Sequence, residues 1–171
     1  MILSKFKQRL LSTIIILAIA IAFVLLDARI AVAQDNAVNY TYSEIREQDF
    51  SHKNLVGGVF AAADARGSNF EGSDVSNSIL TKGIFINTNL KDSNFTSSLM
   101  DRVSFENSDL TNAIFREAVA TSTIFEGANI TGADFTDAIL DRYQIYLMCK
   151  RAEGTNPVTG VETRYSLGCR D

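Results

Sequence analysis

From Phe50 to Leu140 every fifth residue of this chain is apolar, and that period constrains the fold more than any other feature. The centres run Phe50, Leu55, Phe60, Ala65, Phe70, Val75, Leu80, Phe85, Leu90, Phe95, Met100, Phe105, Leu110, Phe115, Ala120, Phe125, Ile130, Phe135 and Leu140. Two residues before each centre, from Gly58 to Ala138, stands Gly, Ala, Ser or Thr, with Val103 the exception. An α-helix turns about 100° per residue, so five steps leave a drift of roughly 140° and scatter the centres around the cylinder. A strand alternates faces with period two, so an odd period throws successive centres to opposite sides. The chain must therefore turn once per repeat, apolar side chain inward, with room beside it for little but small residues. Gly, Asn, Asp, Ser and Thr at the other positions suit tight turns, because they tolerate turn conformations or hydrogen-bond the backbone locally. Coils stacked at about 4.8 Å satisfy one another's backbone groups, so the pattern predicts a β-solenoid with ends that need covering.

The pattern resembles that of the pentapeptide-repeat family, which reads Ala, Asp or Asn, Leu or Phe, then two variable residues. Matching stretches are Ser-Asn-Phe-Glu-Gly at 68–72, Ser-Asp-Leu-Thr-Asn at 108–112, Ala-Asn-Ile-Thr-Gly at 128–132 and Ala-Asp-Phe-Thr-Asp at 133–137. The resemblance implies an all-β solenoid, a right-handed quadrilateral β-helix with four repeats, hence twenty residues, per coil. Residues 49–140 would then form just under five coils. On that coil the Phe residues at 85, 105 and 125 and those at 95, 115 and 135 make two stacks on opposite walls, whereas 50, 70 and 60 occupy the other pair. Ala65 and Ala120 are undersized centres that make room for neighbouring rings.

After Leu140 the pattern stops. Asp141 is placed to cap a short helix over Arg142–Met148, and Thr155–Gly160 is a turn-rich loop holding the chain's single Pro. Cys149 and Cys169 are the two cysteines of the chain. In an exported protein such a pair reads as a disulfide, and closing a loop of that length contributes about 3 kcal/mol. A redox-regulated pair is the alternative, although no Cys-x-x-Cys spacing is present to lower a thiol pKa. The tail, from Cys149-Lys150-Arg151-Ala152 through Gly154–Arg164 to Leu167-Gly168-Cys169, resembles the ending of the thylakoid-lumen pentapeptide-repeat proteins of cyanobacteria and chloroplasts. Tyr40–Ser51 resembles their approach to the first coil. The expected division is a signal peptide at 1–33, a lead-in segment at 34–48, the β-helix at 49–140 and a helical, disulfide-closed C-terminal cap at 141–171.

The N-terminus reads as an export signal. Lys5, Lys7 and Arg9 precede an apolar run from Leu10 to Leu26, and Ala31-Val32-Ala33 supplies the small residues that signal peptidase requires, so cleavage is expected after Ala33. An uncleaved anchor is the other reading of an apolar run this long. No Arg-Arg pair precedes the run, which favours the general secretory route, and a short bacterial-type signal favours the cyanobacterial branch of the resemblance. Removing 1–33 leaves 16 − 4 = 12 basic and 20 − 1 = 19 acidic residues, a net charge of −7. That balance disfavours phosphate backbones, so no nucleic acid is expected as partner, nor a stable membrane anchor after cleavage.

Catalytic chemistry finds little to hold. His52 is the single histidine and falls at an outward turn position, Gly57-Gly58 lacks a phosphate-loop pattern, and neither a cofactor nor a metal is expected. The tail residues Arg151, Glu153, Glu162, Arg164 and Arg170 could form a site, but a salt-bridged cap explains them as well. On the walls, Asp49, Asn69, Asn89, Asp109 and Asn129 fill one outward column in the family manner, while another reads Val59, Ile79, Leu99, Val119 and Ile139. Five apolar residues at coil spacing make a ridge of roughly 19 Å, with Ile84 and Ile124 on the next wall. Such a ridge marks a partner surface, unless the tail folds over it or the residues merely favour an extended wall. The expected function is a non-enzymatic, exported interaction scaffold or assembly factor with an unidentified protein partner, in the thylakoid lumen or, alternatively, the periplasm. Other family members resemble duplex DNA and inhibit topoisomerases. The acidic surface suits that alternative, whereas the export signal and the Asn and Thr that interrupt the acidic columns do not.

Overall fold

The computed structural model describes residues 37–170 and positions 14–17, 19 and 21. The chain divides into two units, Met1–Asn36 and Ala37–Asp171. In the first, the described positions are helical. The expected cleavage site at 31–33 lies outside the described residues. Among the described residues no helix is long and apolar enough to cross a membrane.

The second unit is a stack of coils. Residues twenty apart are bridged in parallel along four walls, as Val59 to Ile79, Asp64 to Ile84, Asn69 to Asn89 and Asp74 to Asn94. A turn interrupts the extended backbone every fifth residue, so pairing is confined to isolated bridges. Two consecutive residues pair only where β1 (Val119–Ala120) meets β2 (Ile139–Leu140).

A repeat with Asn or Asp before its centre disposes of its five N–H groups in a fixed way. In the repeat of Phe70, Phe70 donates to Asn89 O and Gly72 to Lys91 O in the next coil, and Asn69 donates back to Gln48 O. Ser73 closes the turn onto Phe70 O. The fifth group, of Glu71, donates to the side-chain Oδ1 of Asn69. Every fifth residue from Tyr42 to Asp137 has positive φ, fifteen of them non-glycine and five glycine. The solenoid is thus a succession of left-handed turns, whatever residue occupies them.

Small residues beside the centres have an additional role. The hydroxyls of Ser78, Thr88, Ser98 and Ser108 donate to the carbonyls of Leu55, Ala65, Val75 and Phe85 one coil earlier. Where glycine stands, space is the reason: a Cβ on Gly83 would lie 2.7 Å from the Phe85 ring. Val103 fits all the same and is fully buried.

The centres fill the interior. Phe95, Phe115 and Phe135 stack at 5.0 Å between successive rings, and Phe105 stacks on Phe125 at 5.5 Å. The two columns meet edge-to-face, Phe105 against Phe115 and Phe125 against Phe135. Toward the N-terminus the stacks change walls, with Phe50 on Phe70 and Phe70 edge-on to Phe85. Aromatic pairs of this kind contribute about 0.5–1.5 kcal/mol each beyond their burial.

Two boundaries differ from expectation. The coil begins at Asn39 rather than 49, because Asn39 already bridges Val59 and Glu44 bridges Asp64. Tyr40 stacks on Phe60 and Ile45 is buried, so both act as centres, and Asn39 to Leu140 makes just over five coils. The helix α1 spans Arg142–Cys149 with Asp141 at its N-cap position, but the Asp141 side chain does not cap it. Its carboxylate instead accepts from the Ser122 N–H, an otherwise unpartnered group of the coil below.

Beyond α1 the C-terminal segment returns to the end of the stack. Gly132 donates to Glu153 O, and Phe135 donates to the Ser166 hydroxyl of α2 (Thr163–Ser166). Asn156 is fully buried: its amide donates to Asn112 O and Gly132 O, and its Oδ1 accepts from Val158 and Thr159. The Cys149 and Cys169 sulfurs are 2.03 Å apart, a disulfide joining α1 to the end of the chain.

Candidate functional site

On two of the four walls the residue before the centre is Asn or Asp, Ile114 excepted, because it closes a local turn. Asp49, Asn54, Asp64, Asn69, Asp74, Asn89, Asn94, Asp109, Asn129 and Asp134 each accept the N–H two residues on. The Ser51 backbone N–H holds Asp49 below the usual carboxylate range. Asp64 is held well below it, first by Arg66 at 2.5 Å and then by Arg46 at 2.6 Å.

The wall backed by Phe60, Leu80, Met100 and Ala120 departs from this rule. Val59, Ile79, Leu99, Val119 and Ile139 bridge one another in an unbroken line. Their side chains carry no oxygen, so the N–H groups of Ala61, Thr81, Asp101 and Thr121 lose the acceptor that the Asn- and Asp-lined walls supply. A hydrogen bond of this type is worth about 0.5–1.5 kcal/mol net, so the column forgoes stability at each coil. Nor does burial recover it: Ile79 is 39%, Leu99 46% and Ile139 56% exposed. Val59 and Val119 are half-buried. Apart from the bond of Asp141 to Ser122 at the wall's edge, the hydrogen bonds of the C-terminal segment go to Asn112, Phe125, Ala128, Gly132 and Phe135, away from the column, which lies open. Ile84 and Ile124 lie on the adjacent wall but are separated by Ser104 and do not extend the ridge continuously.

The wall's rims are charged in its C-terminal half. Asp101 accepts from Arg102 Nε at 2.7 Å and from the Thr121 hydroxyl, and the latter, with Arg102, lowers its pKa. Across the wall stand Arg116 and Glu117, the latter accepting from Ser97.

The remaining residues singled out from sequence are dispersed. His52 is an exposed left-handed turn residue whose ring lies over Gly72. Arg151 donates to the carbonyls of Phe125, Ala128 and Leu147, and burial lowers its pKa. It thereby fastens α1 to the last coil rather than facing Glu153, Glu162 and Arg164, which line a shallow depression of about 190 Å³. A larger groove of about 560 Å³ runs between α1 and the last coil, lined by Ile124, Tyr143, Gln144 and Leu147 with Glu106 and Glu126 at its edge. Among the described residues no group of three or more His, Cys, Asp or Glu side chains gathers as for a metal. Sequence reading missed Asn156 and the carbonyl-clamping role of Arg151. Neither lies in the repeat, and only the position of Asn156 before Pro157 in a turn-rich loop hinted at it.

The family model for pentapeptide repeats matches eight copies, over residues 49–81 and 98–137. A crystal structure of a pentapeptide repeat protein from the Arabidopsis thaliana thylakoid lumen superimposes with a TM-score of 0.63 at 31% identity, covering 74% of this chain and 92% of that one. This chain belongs to the pentapeptide-repeat family. Pentapeptide-repeat proteins fold as right-handed quadrilateral β-helices, and the twenty-residue bridging described above is that architecture. Pentapeptide-repeat proteins are generally structural or interaction proteins. The chain is also 59% identical over 32 residues to the chloroplastic thylakoid lumenal protein TL20.3 of Arabidopsis thaliana, a match spanning 19% of this chain and 11% of that relative. The pentapeptide repeat protein HetL of Nostoc sp. strain PCC 7120, involved in heterocyst differentiation regulation, gives a TM-score of 0.31 at 14% identity, over 61% of this chain and 60% of that one.

Proposed function

We propose that this pentapeptide-repeat protein is a non-enzymatic, exported interaction scaffold or assembly factor of the thylakoid lumen, acting through the wall of Val59, Ile79, Leu99, Val119 and Ile139. The observation that carries the reading is that this column gives up a backbone hydrogen bond at each coil and stays exposed, which is disadvantageous unless the surface is used. The lumenal location is supported by the two Arabidopsis relatives and by the signal-like N-terminus. In this reading residues 1–33 are removed at export. Residues 141–171, held by Arg151, Asn156 and the Cys149–Cys169 bond, then act as a cap that covers the last coil.

A photo-crosslinking residue at position 99 of the tagged protein, in isolated thylakoids and periplasm, tests the proposal. Defined adducts from the lumenal fraction, lost on moving the probe to position 89 on an Asx wall, are expected. Equal labelling from both positions would sink the wall as a site. Recovery of the protein from cytoplasm alone would overturn the location and favour the DNA-mimic alternative.

A further inference from the structure

We propose that the occupant of this wall is the same wall of a second copy, the two solenoids lying side by side about a two-fold axis parallel to their length. The inference rests on the reading of the wall as an interaction face, and three observations choose the partner.

The first is charge. The mature chain carries 12 − 19 = −7, so approach of a second copy is opposed over most of the surface. The coil residues at the rims of this wall are Lys82, Arg102 and Arg116 against Asp101, Glu117 and Asp137, a balance of 3 − 3 = 0. The column and rims of the wall of Phe50, Phe70 and Leu90 hold three cations and seven carboxylates, a balance of −4.

The second is the arrangement of those rims. An axis parallel to the solenoid sets the rim carrying Arg116 and Glu117 against the partner's rim carrying Asp101 and Arg102. The two rims differ in height by three quarters of a coil, about 3.6 Å, within side-chain reach. Arg116 then faces a carboxylate and Glu117 a guanidinium, twice over by symmetry. An axis across the solenoid would set each rim against itself and lose this match.

The third is size. Five coils at about 4.8 Å and four residues at about 3.3 Å give a flat face of roughly 300 Å² per copy. That is small for a permanent dimer, so association is expected to be weak, in the micromolar range. The apolar column packs against its twin at the ordinary sheet-to-sheet distance of about 10 Å.

Sedimentation equilibrium of the exported protein, from about 1 to about 500 µM, reads the association directly. The expected result is a concentration-dependent dimer that Leu99→Asn converts to monomer without lowering the melting temperature. Arg116→Asp should weaken the dimer about tenfold, and adding Asp101→Arg to it should restore the affinity. A monomer throughout the range, a dimer indifferent to Leu99→Asn, or a charge-reversed pair without rescue each overturns the proposal. Crosslinks from position 99 separate its failure from that of the scaffold reading. A monomer whose adducts contain a different protein refutes only the self-pairing, whereas a monomer without adducts refutes both.

Discussion

At the scale of single residues, the dominant fact is a left-handed turn every five positions. L-residues with a Cβ meet their following carbonyl in that conformation, at a cost of about 1 kcal/mol, which glycine escapes. Ala62 has φ of 54° and no side-chain hydrogen bond to offset the cost. Ala62→Gly is therefore expected to stabilise the fold by about 0.5–1 kcal/mol in chemical denaturation, the reverse of the usual glycine effect. The inward centres were legible from sequence because burial imposes one chemistry on every fifth position. The turn residue was not, since Tyr42, His52, Lys82 and Arg102 occupy it as readily as glycine. A second residue-scale consequence concerns acid. Asp49, Asp64 and Asp101 have folded pKa values below their unfolded ones, so their contribution is complete above the unfolded carboxylate value and is lost as pH falls through the folded values. Melting temperature should be level above about pH 5 and fall from about pH 4 downward. Asp64→Asn should flatten that fall, and a variant that melts in parallel with wild type across the acid range would refute the assignment.

At the scale of elements, the C-terminal segment is tied to the stack through the backbone N–H and carbonyl groups of the last coils. Asn156 makes four hydrogen bonds from a buried site, two of them to Asn112 and Gly132 of successive coils. Asn156→Ala leaves two carbonyls and two N–H groups without it and should cost about 3 kcal/mol, with amide exchange accelerated at Ala128–Leu140 and unchanged near Phe50. Uniform acceleration along the solenoid would show instead that the stack unfolds as one unit. Sequence located this segment and its cysteines, because the repeat ends at Leu140. It could not show the clamp, since an Asn or Arg that bonds carbonyls carries no periodic signal. The start of the coil was placed late because small residues stand consistently two positions before the centres only from Gly58 on, whereas Val38, Gln48 and Lys53 occupy that position earlier although Tyr40 and Ile45 keep the register.

At the scale of the whole molecule, the four walls differ in construction: two are lined mainly by Asn and Asp, one mixes Asp64 and Ser104 with Ile84 and Ile124, and the proposed interaction wall carries an unbroken apolar column from Val59 to Ile139. The column of Val59, Ile79, Leu99, Val119 and Ile139 was visible in the sequence once a twenty-residue coil was assumed. That it stands open, and that it lacks the Asx acceptor, required the hydrogen-bond pattern of the remaining walls. Pentapeptide-repeat architecture therefore supplies a rigid, polar rod, and this protein's distinguishing feature is one neutral apolar side. The most direct measurement is the thermal unfolding of Ile79→Asn/Leu99→Asn/Val119→Asn beside wild type, with the photo-crosslinking residue moved from position 99 to position 139 in both. Three regained Asx turns should raise the midpoint by a few degrees while adducts disappear. A midpoint several degrees lower would contradict the assignment, because the column would then be serving the fold and not a partner.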